Sequence, residues 1–74
     1  MNIEYEKQIG KRIRNLREKR KMTQEELSSK LQLKGCDITR SALAKIEVGQ
    51  RHIYPDEMKF IKEILKIEFN ELFY

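Results

Sequence analysis

Apolar residues recur at helical spacing along nearly all of this 74-residue chain. Ile9, Ile13 and Leu16 step by four and three, the period of an amphipathic helix, and predict a first helix from about Tyr5 to Lys19. Thr23-Gln24-Glu25-Glu26 then forms a capping box: the Thr oxygen accepts a backbone N–H of the first turn, and a Glu carboxylate reaches back to the cap. Met22 before the cap and Leu27 after it have the spacing of a hydrophobic staple, so a second helix is expected from Gln24 to about Leu31. The arrangement recurs at Ile38-Thr39…Leu43, which predicts a third helix from Arg40 to about Val48, closed by Gly49. Ile53 and Met58 staple a fourth, Pro55 to Leu65, with Pro at its first position and Asp56 and Glu57 at its positive end. Ile67 and Leu72 staple a short fifth, Glu68 to Phe73. The segments between the staples differ, so this is no solenoid. The pattern predicts an all-α, compact five-helix domain.

Two regions are less regular. Gln32-Leu33-Lys34-Gly35-Cys36-Asp37 separates the second and third helices; Gly35 marks a turn, and Leu33 and Cys36 are expected to tuck beneath it. Phe60, Phe69, Phe73 and Tyr74 exceed what a domain this small must bury. Phe69 is expected in the core, and the others in an apolar patch suited to a second copy of the chain.

Length allows one domain, residues 1–74, and a chain this short buries only about 60% of its unfolded surface. At 38% charged and 39% hydrophobic it is globular rather than disordered. It has no apolar run long enough for a membrane span and no signal peptide, so a cytoplasmic location is expected. A single Cys36 excludes an intramolecular disulfide; it reads as a small apolar filler, with a ligand or redox role as the alternative. Net charge is +4, unevenly spread: Lys7–Lys21 holds eight basic residues against Glu18 alone, whereas Tyr54–Tyr74 holds three basic and five acidic. Such a run is either a solvated helix face or a surface for a polyanion.

The third helix turns Leu43 and Ile46 to one side and Arg40, Ser41, Ala44 and Lys45 to the other, an exposed basic face of the kind that enters a major groove. Together, Gln24 and Leu27 on the second helix, Thr39 through Glu47 on the third, and Gly49 and Arg51 beyond it resemble the helix-turn-helix of the Cro/C1-type (Xre-like) DNA-binding family of phage repressors and small bacterial regulators. The similarity runs from about Ile9 to Phe73. It implies a lambda-repressor-like fold with the helix-turn-helix made by helices 2 and 3. It also implies base contacts from Arg40, Ser41, Ala44 and Lys45, and DNA-backbone contacts from Gln24, Thr39 and Arg51. Arg40 suits guanine O6 and N7, Ala44 suits a thymine methyl or nothing, and Lys45 suits a guanine or a phosphate. In the family, an arginine at Arg17 pairs with the glutamate ending the recognition helix, here Glu47; the alternative is one more surface cation. The connection between helices 2 and 3 departs from the family pattern, being five residues longer. The helices keep their angle if the extra residues loop outward, and Lys34 would then offer a further backbone contact.

Enzymatic activity is the weakest reading. His52 and Cys36 lie on either side of the third helix, and no glycine-rich phosphate loop or metal-ligand cluster is visible, so no cofactor, metal or small-molecule ligand is expected. The expected partner is double-stranded DNA, bound by a homodimer on an inverted repeat as a transcriptional regulator, most simply a repressor. The rival is a protein-interaction module on the same fold, as in an antitoxin or anti-repressor.

Overall fold

The computed structural model describes residues 3–73. They form α1 (Ile3–Lys19), α2 (Gln24–Leu33), α3 (Arg40–Glu47), α4 (Pro55–Leu65) and a closing 3-10 turn, Phe69–Leu72, and among them there is no strand. The fifth helix expected from the sequence is thus corrected to a 3-10 turn. Its bonds run from Glu71 N–H to Glu68 O (3.0 Å) and from Phe73 N–H to Asn70 O (3.1 Å), and four residues are too few to nucleate an α-helix.

Every helix start after α1 uses local chemistry. Thr23 Oγ1 accepts from Glu26 N–H and Glu26 Oε1 accepts from Thr23 N–H, both at 3.0 Å, completing the capping box. Those bonds hold the exposed Glu26 carboxyl below its ordinary pKa. Thr39 Oγ1 accepts from Ala42 N–H at 3.1 Å. At Tyr54 and Glu68 the N–H is met by Glu57 (3.0 Å) and Glu71 (2.7 Å) three residues on.

The helix ends share a style as well. Lys21, Gly35, Gly49 and Lys66 all take positive φ just past a helix. The next N–H reaches back to a carbonyl of the last turn in each case: Met22 to Arg17, Cys36 to Leu31, Gln50 to Lys45 and Ile67 to Lys62, at 2.8–3.2 Å. Two of these left-handed positions are lysines, with no sequence signal to announce them.

α1 packs across α3, α2 lies against α3 and α4, and the 3-10 turn closes onto α1 and α4. The four staples put Leu27, Ile38, Leu43, Ile53 and Leu72 at 1% exposure or less, so they anchor the core as well as the helix entries. Gly10 makes the α1–α3 crossing possible, because a Cβ there would sit 2.1 Å from the Ile46 carbonyl oxygen. At Gly49 a Cβ would sit 2.9 Å from Lys7 Cα, so closeness and φ (+79°) both demand glycine. Arg20 ties the end of α1 to the end of α4, donating to Leu65 O (2.8 Å) and Lys66 O (3.1 Å).

Two apolar expectations are corrected. Phe69 is 45% exposed, under the Lys62 ammonium at 5.4 Å, and Leu72 is the buried residue of the 3-10 turn. Leu33 is 88% exposed: α2 continues beyond Leu31, and two further residues carry Leu33 about 200° around the helix from that buried position. Cys36 does turn inward, and burial pushes its thiol pKa up. Phe60 and Phe73 are half-buried, and the expectation for Tyr74 lies outside the described residues. No helix among the described residues is long and apolar enough to cross a membrane.

Candidate nucleic-acid interface

α3 is amphipathic over only eight residues, so its sequence dictates which face it shows. Leu43, Ile46 and Glu47 are buried; Arg40, Ser41 and Lys45 are exposed, with Ala44 half-buried between them. The four positions that the family resemblance points to share one accessible face. Thr39, exposed at the N-cap, accepts a hydrogen bond from Ala42 and so keeps its O–H to donate outward.

Beneath that face lies an ionic network. Arg17 Nε donates to Glu47 Oε2 at 2.8 Å and Nη2 to Oε1 at 3.1 Å, with both residues buried. The third arm of the guanidinium, Nη1, donates to the Met22 carbonyl at 2.7 Å, just ahead of the α2 cap. Gln24 Nε2 donates to Glu47 Oε1 at 3.0 Å. One guanidinium and one carboxylate therefore fix the end of α1, the start of α2 and the end of α3 to each other. The Glu47 hydrogen bond raises the Arg17 pKa, against the opposing effect of burial. Gln24 retains one amide N–H and its carbonyl for an outside partner.

The long connection leaves α2 and α3 tied together. Ser28 Oγ donates to Ile38 O at 2.8 Å, and Gln32 Nε2 approaches the same carbonyl at 3.4 Å. The extra length lengthens α2 by two residues over expectation and fills the Gly35 turn, whose Leu33, Lys34 and Gly35 face outward.

Two expected backbone contacts meet competitors in the structure. Arg51 is committed to the fold: its Nη1 and Nη2 both bond Glu57, at 3.0 Å each, and Nη1 also donates to His52 O. This pairing raises the Arg51 pKa. Burial pushes the Glu57 carboxyl up, but bonds from Arg51 and from Tyr54 N–H more than offset this and hold it below its ordinary value. A phosphate at Arg51 would have to use the donors that these bonds leave, Nε–H and one N–H of Nη2, or compete with Glu57. Lys34 stands at the far end of α2 from Gln24 and faces α4, with its ammonium 3.8 Å from Glu63.

The basic run Lys7–Lys21, on α1 and the turn after it, divides in the same way. Arg17 and Arg20 are spent on the fold, whereas Lys7, Lys11, Arg14, Lys19 and Lys21 are exposed, Arg14 within 3.5 Å of Glu18. One residue that the sequence reading passed over, Gly10, also shapes the site. Gly10 sets the distance between α1 and α3, and a lone glycine on the Ile9–Ile13 stripe is the signal that marks it. His52 Nδ1 is bonded to the buried Glu6 carboxylate, and its ring meets Tyr54 edge-on at 4.7 Å. Among the described residues no group of three His, Cys, Asp or Glu is gathered as a metal site.

The sequence profile of a family described as a helix-turn-helix domain matches residues 10–74. A search of curated protein sequences gave no match. The fold is similar to the crystal structure of the DNA-binding domain of BldD, at TM-score 0.82 over 97% of each chain and 21% identity. With α2 and α3 in place as the two helices of the motif, the chain belongs to the helix-turn-helix domain family.

Proposed function

We propose that this chain, a single helix-turn-helix domain over residues 1–74, binds double-stranded DNA sequence-specifically as a small transcriptional regulator. The carrying observation is the α3 face: Arg40, Ser41 and Lys45 are exposed together around Ala44, on a helix whose opposite side is locked by the buried Arg17–Glu47 pair. A rigidly held helix with donors on one face meets the geometric need of base readout. Arg40 would take a guanine, Ser41 a neighbouring base edge, Ala44 a thymine methyl, and Lys45 a guanine or phosphate. Thr39 and Gln24 would bond the DNA backbone through the O–H and N–H they keep. The exposed lysines of α1 supply non-specific attraction, and Arg51 would reach a phosphate only with the donors that Glu57 and the His52 carbonyl leave. The DNA-binding role of the similar BldD domain supports this reading.

Repression by a homodimer on an inverted repeat, in the cytoplasm, is the simplest mode of action. Two-fold pairing would place two copies of α3 one helical turn of DNA apart, about 34 Å. Selection of binding sites from a random duplex pool tests the proposal. Enrichment of an inverted repeat, with preference lost at one position per half-site in Arg40→Ala, is the expected result. Failure to enrich any sequence would refute it and turn attention to a protein partner for the same face.

A further inference from the structure

Leu33 is the most exposed large apolar residue among those described, and its surroundings are not neutral. It stands beside the half-buried Ile64 in a groove between the last turn of α2 and the last turn of α4, rimmed by Lys30, Lys34 and Lys66, with Glu63 the one acid. We propose that this groove docks an acidic segment of another protein, which buries large apolar side chains on Leu33 and Ile64 and sets carboxylates among the three lysines.

Three features select that occupant. A nucleic-acid backbone would satisfy the lysines but leaves Leu33 in water, where its exposure has no return. A second copy of the chain, paired two-fold through this groove, would bring Lys30, Lys34 and Lys66 against their own counterparts, a like-charge contact that disfavours the pairing. An acidic partner with apolar anchors satisfies both the floor and the rim. The ion pair across the groove, Lys34 to Glu63, is long at 3.8 Å and about 40% exposed on each side chain, so an incoming carboxylate displaces it readily.

The groove also lies clear of the DNA-binding face. Leu33 is nine residues beyond Gln24 on α2, roughly 14 Å along the helix axis. Arg40, Ser41 and Lys45 take no part in it. A protein held here can therefore be carried on the same domain that reads DNA.

The test uses the whole chain, labelled with nitrogen-15. The probe is a synthetic helical peptide of Glu, Ala and Leu with its leucines at i, i+3, i+4 and i+7. Amide shifts confined to the groove, binding about tenfold or more weaker in Leu33→Asp, and severalfold weaker in Lys30→Glu, are expected. Leu33→Asp changes an exposed site, so the rest of its spectrum should match the parent and exclude misfolding. A peptide with Lys in place of Glu should leave the groove untouched. The proposal is overturned by equal binding of that Lys peptide, by shifts on α1 or α3 instead, by insensitivity to Leu33→Asp, or by no perturbation at millimolar peptide. A non-specific duplex that shifts the groove amides would assign it to nucleic acid and overturn it too.

Discussion

Replacing Arg17 by Met should unfold much of what this domain has to spare. The substitution removes three hydrogen bonds, two to Glu47 at 2.8 and 3.1 Å and one to the Met22 carbonyl at 2.7 Å. It leaves the Glu47 carboxylate, with side-chain exposure of 1%, facing only the Gln24 amide. Stranding one partner of a buried pair costs about 3–5 kcal/mol. A 74-residue domain has roughly 4–11 kcal/mol of stability in all. The melting temperature should therefore fall by at least about 12 °C, followed by circular dichroism at 222 nm. The double variant Arg17→Met/Glu47→Met separates a lost contact from a stranded charge. It should recover most of the loss, because an apolar pair of similar volume removes the desolvation problem. A melting point within a few degrees of the parent in the single variant would refute the reasoning. So would a double variant as unstable as the single one, which would mean that packing rather than charge set the cost.

Three further outcomes follow from particular contacts. Gly10→Ala should cost about 1–3 kcal/mol or more, since the new Cβ meets backbone, the Ile46 carbonyl at 2.1 Å, and backbone cannot rotate away; urea denaturation checks it. Lys21→Gly should raise stability by about 0.5–1 kcal/mol, because φ of +58° strains a lysine and not a glycine; a lower melting temperature would contradict this. Glu57→Gln should reduce stability at neutral pH and flatten its acid dependence. The folded-state carboxyl sits below its ordinary 4.5, so its contribution is full above that pH and is lost as pH falls through the lower folded value. Urea midpoints measured at neutral pH and in acid should lie closer together for parent and variant as the pH is lowered.

The helix starts were legible in the sequence because caps and staples are local: each needs only residues within a span of five or six, as at Met22–Leu27 and Ile38–Leu43. The ends of α1 at Lys19 and α4 at Leu65 were legible from the apolar period, whereas α2 runs two residues past the expected Leu31. The left-handed residues after the helices were legible only at Gly35 and Gly49, since Lys21 and Lys66 adopt the same conformation without the residue that favours it. Leu33 could have been placed outside by counting 100° per residue from Leu31, had the two further residues of α2 been expected. Phe69 was misplaced although the local staple had already pointed to the buried pair, Ile67 and Leu72.

At the site, the Arg17–Glu47 pair came from the family resemblance, since its partners lie thirty residues apart. The resemblance also pointed Arg51 at phosphate, and a local feature competes for it: Glu57, six residues on, meets the guanidinium with both oxygens. Charge alone does not tell a cation waiting for DNA from one already neutralised. Arg20, bound to the carbonyls that end α4, makes the same point.

The most direct test of the central claim is the salt dependence of duplex binding, read by fluorescence anisotropy on the best selected sequence for the parent and for Arg40→Ala. The account predicts a linear fall of log K with log salt, with a slope of about −3 or steeper from several phosphate contacts. It also predicts an affinity loss in Arg40→Ala that is larger on the selected site than on random duplex. A flat salt response, or equal losses on both duplexes, would contradict the assignment of the α3 face to DNA.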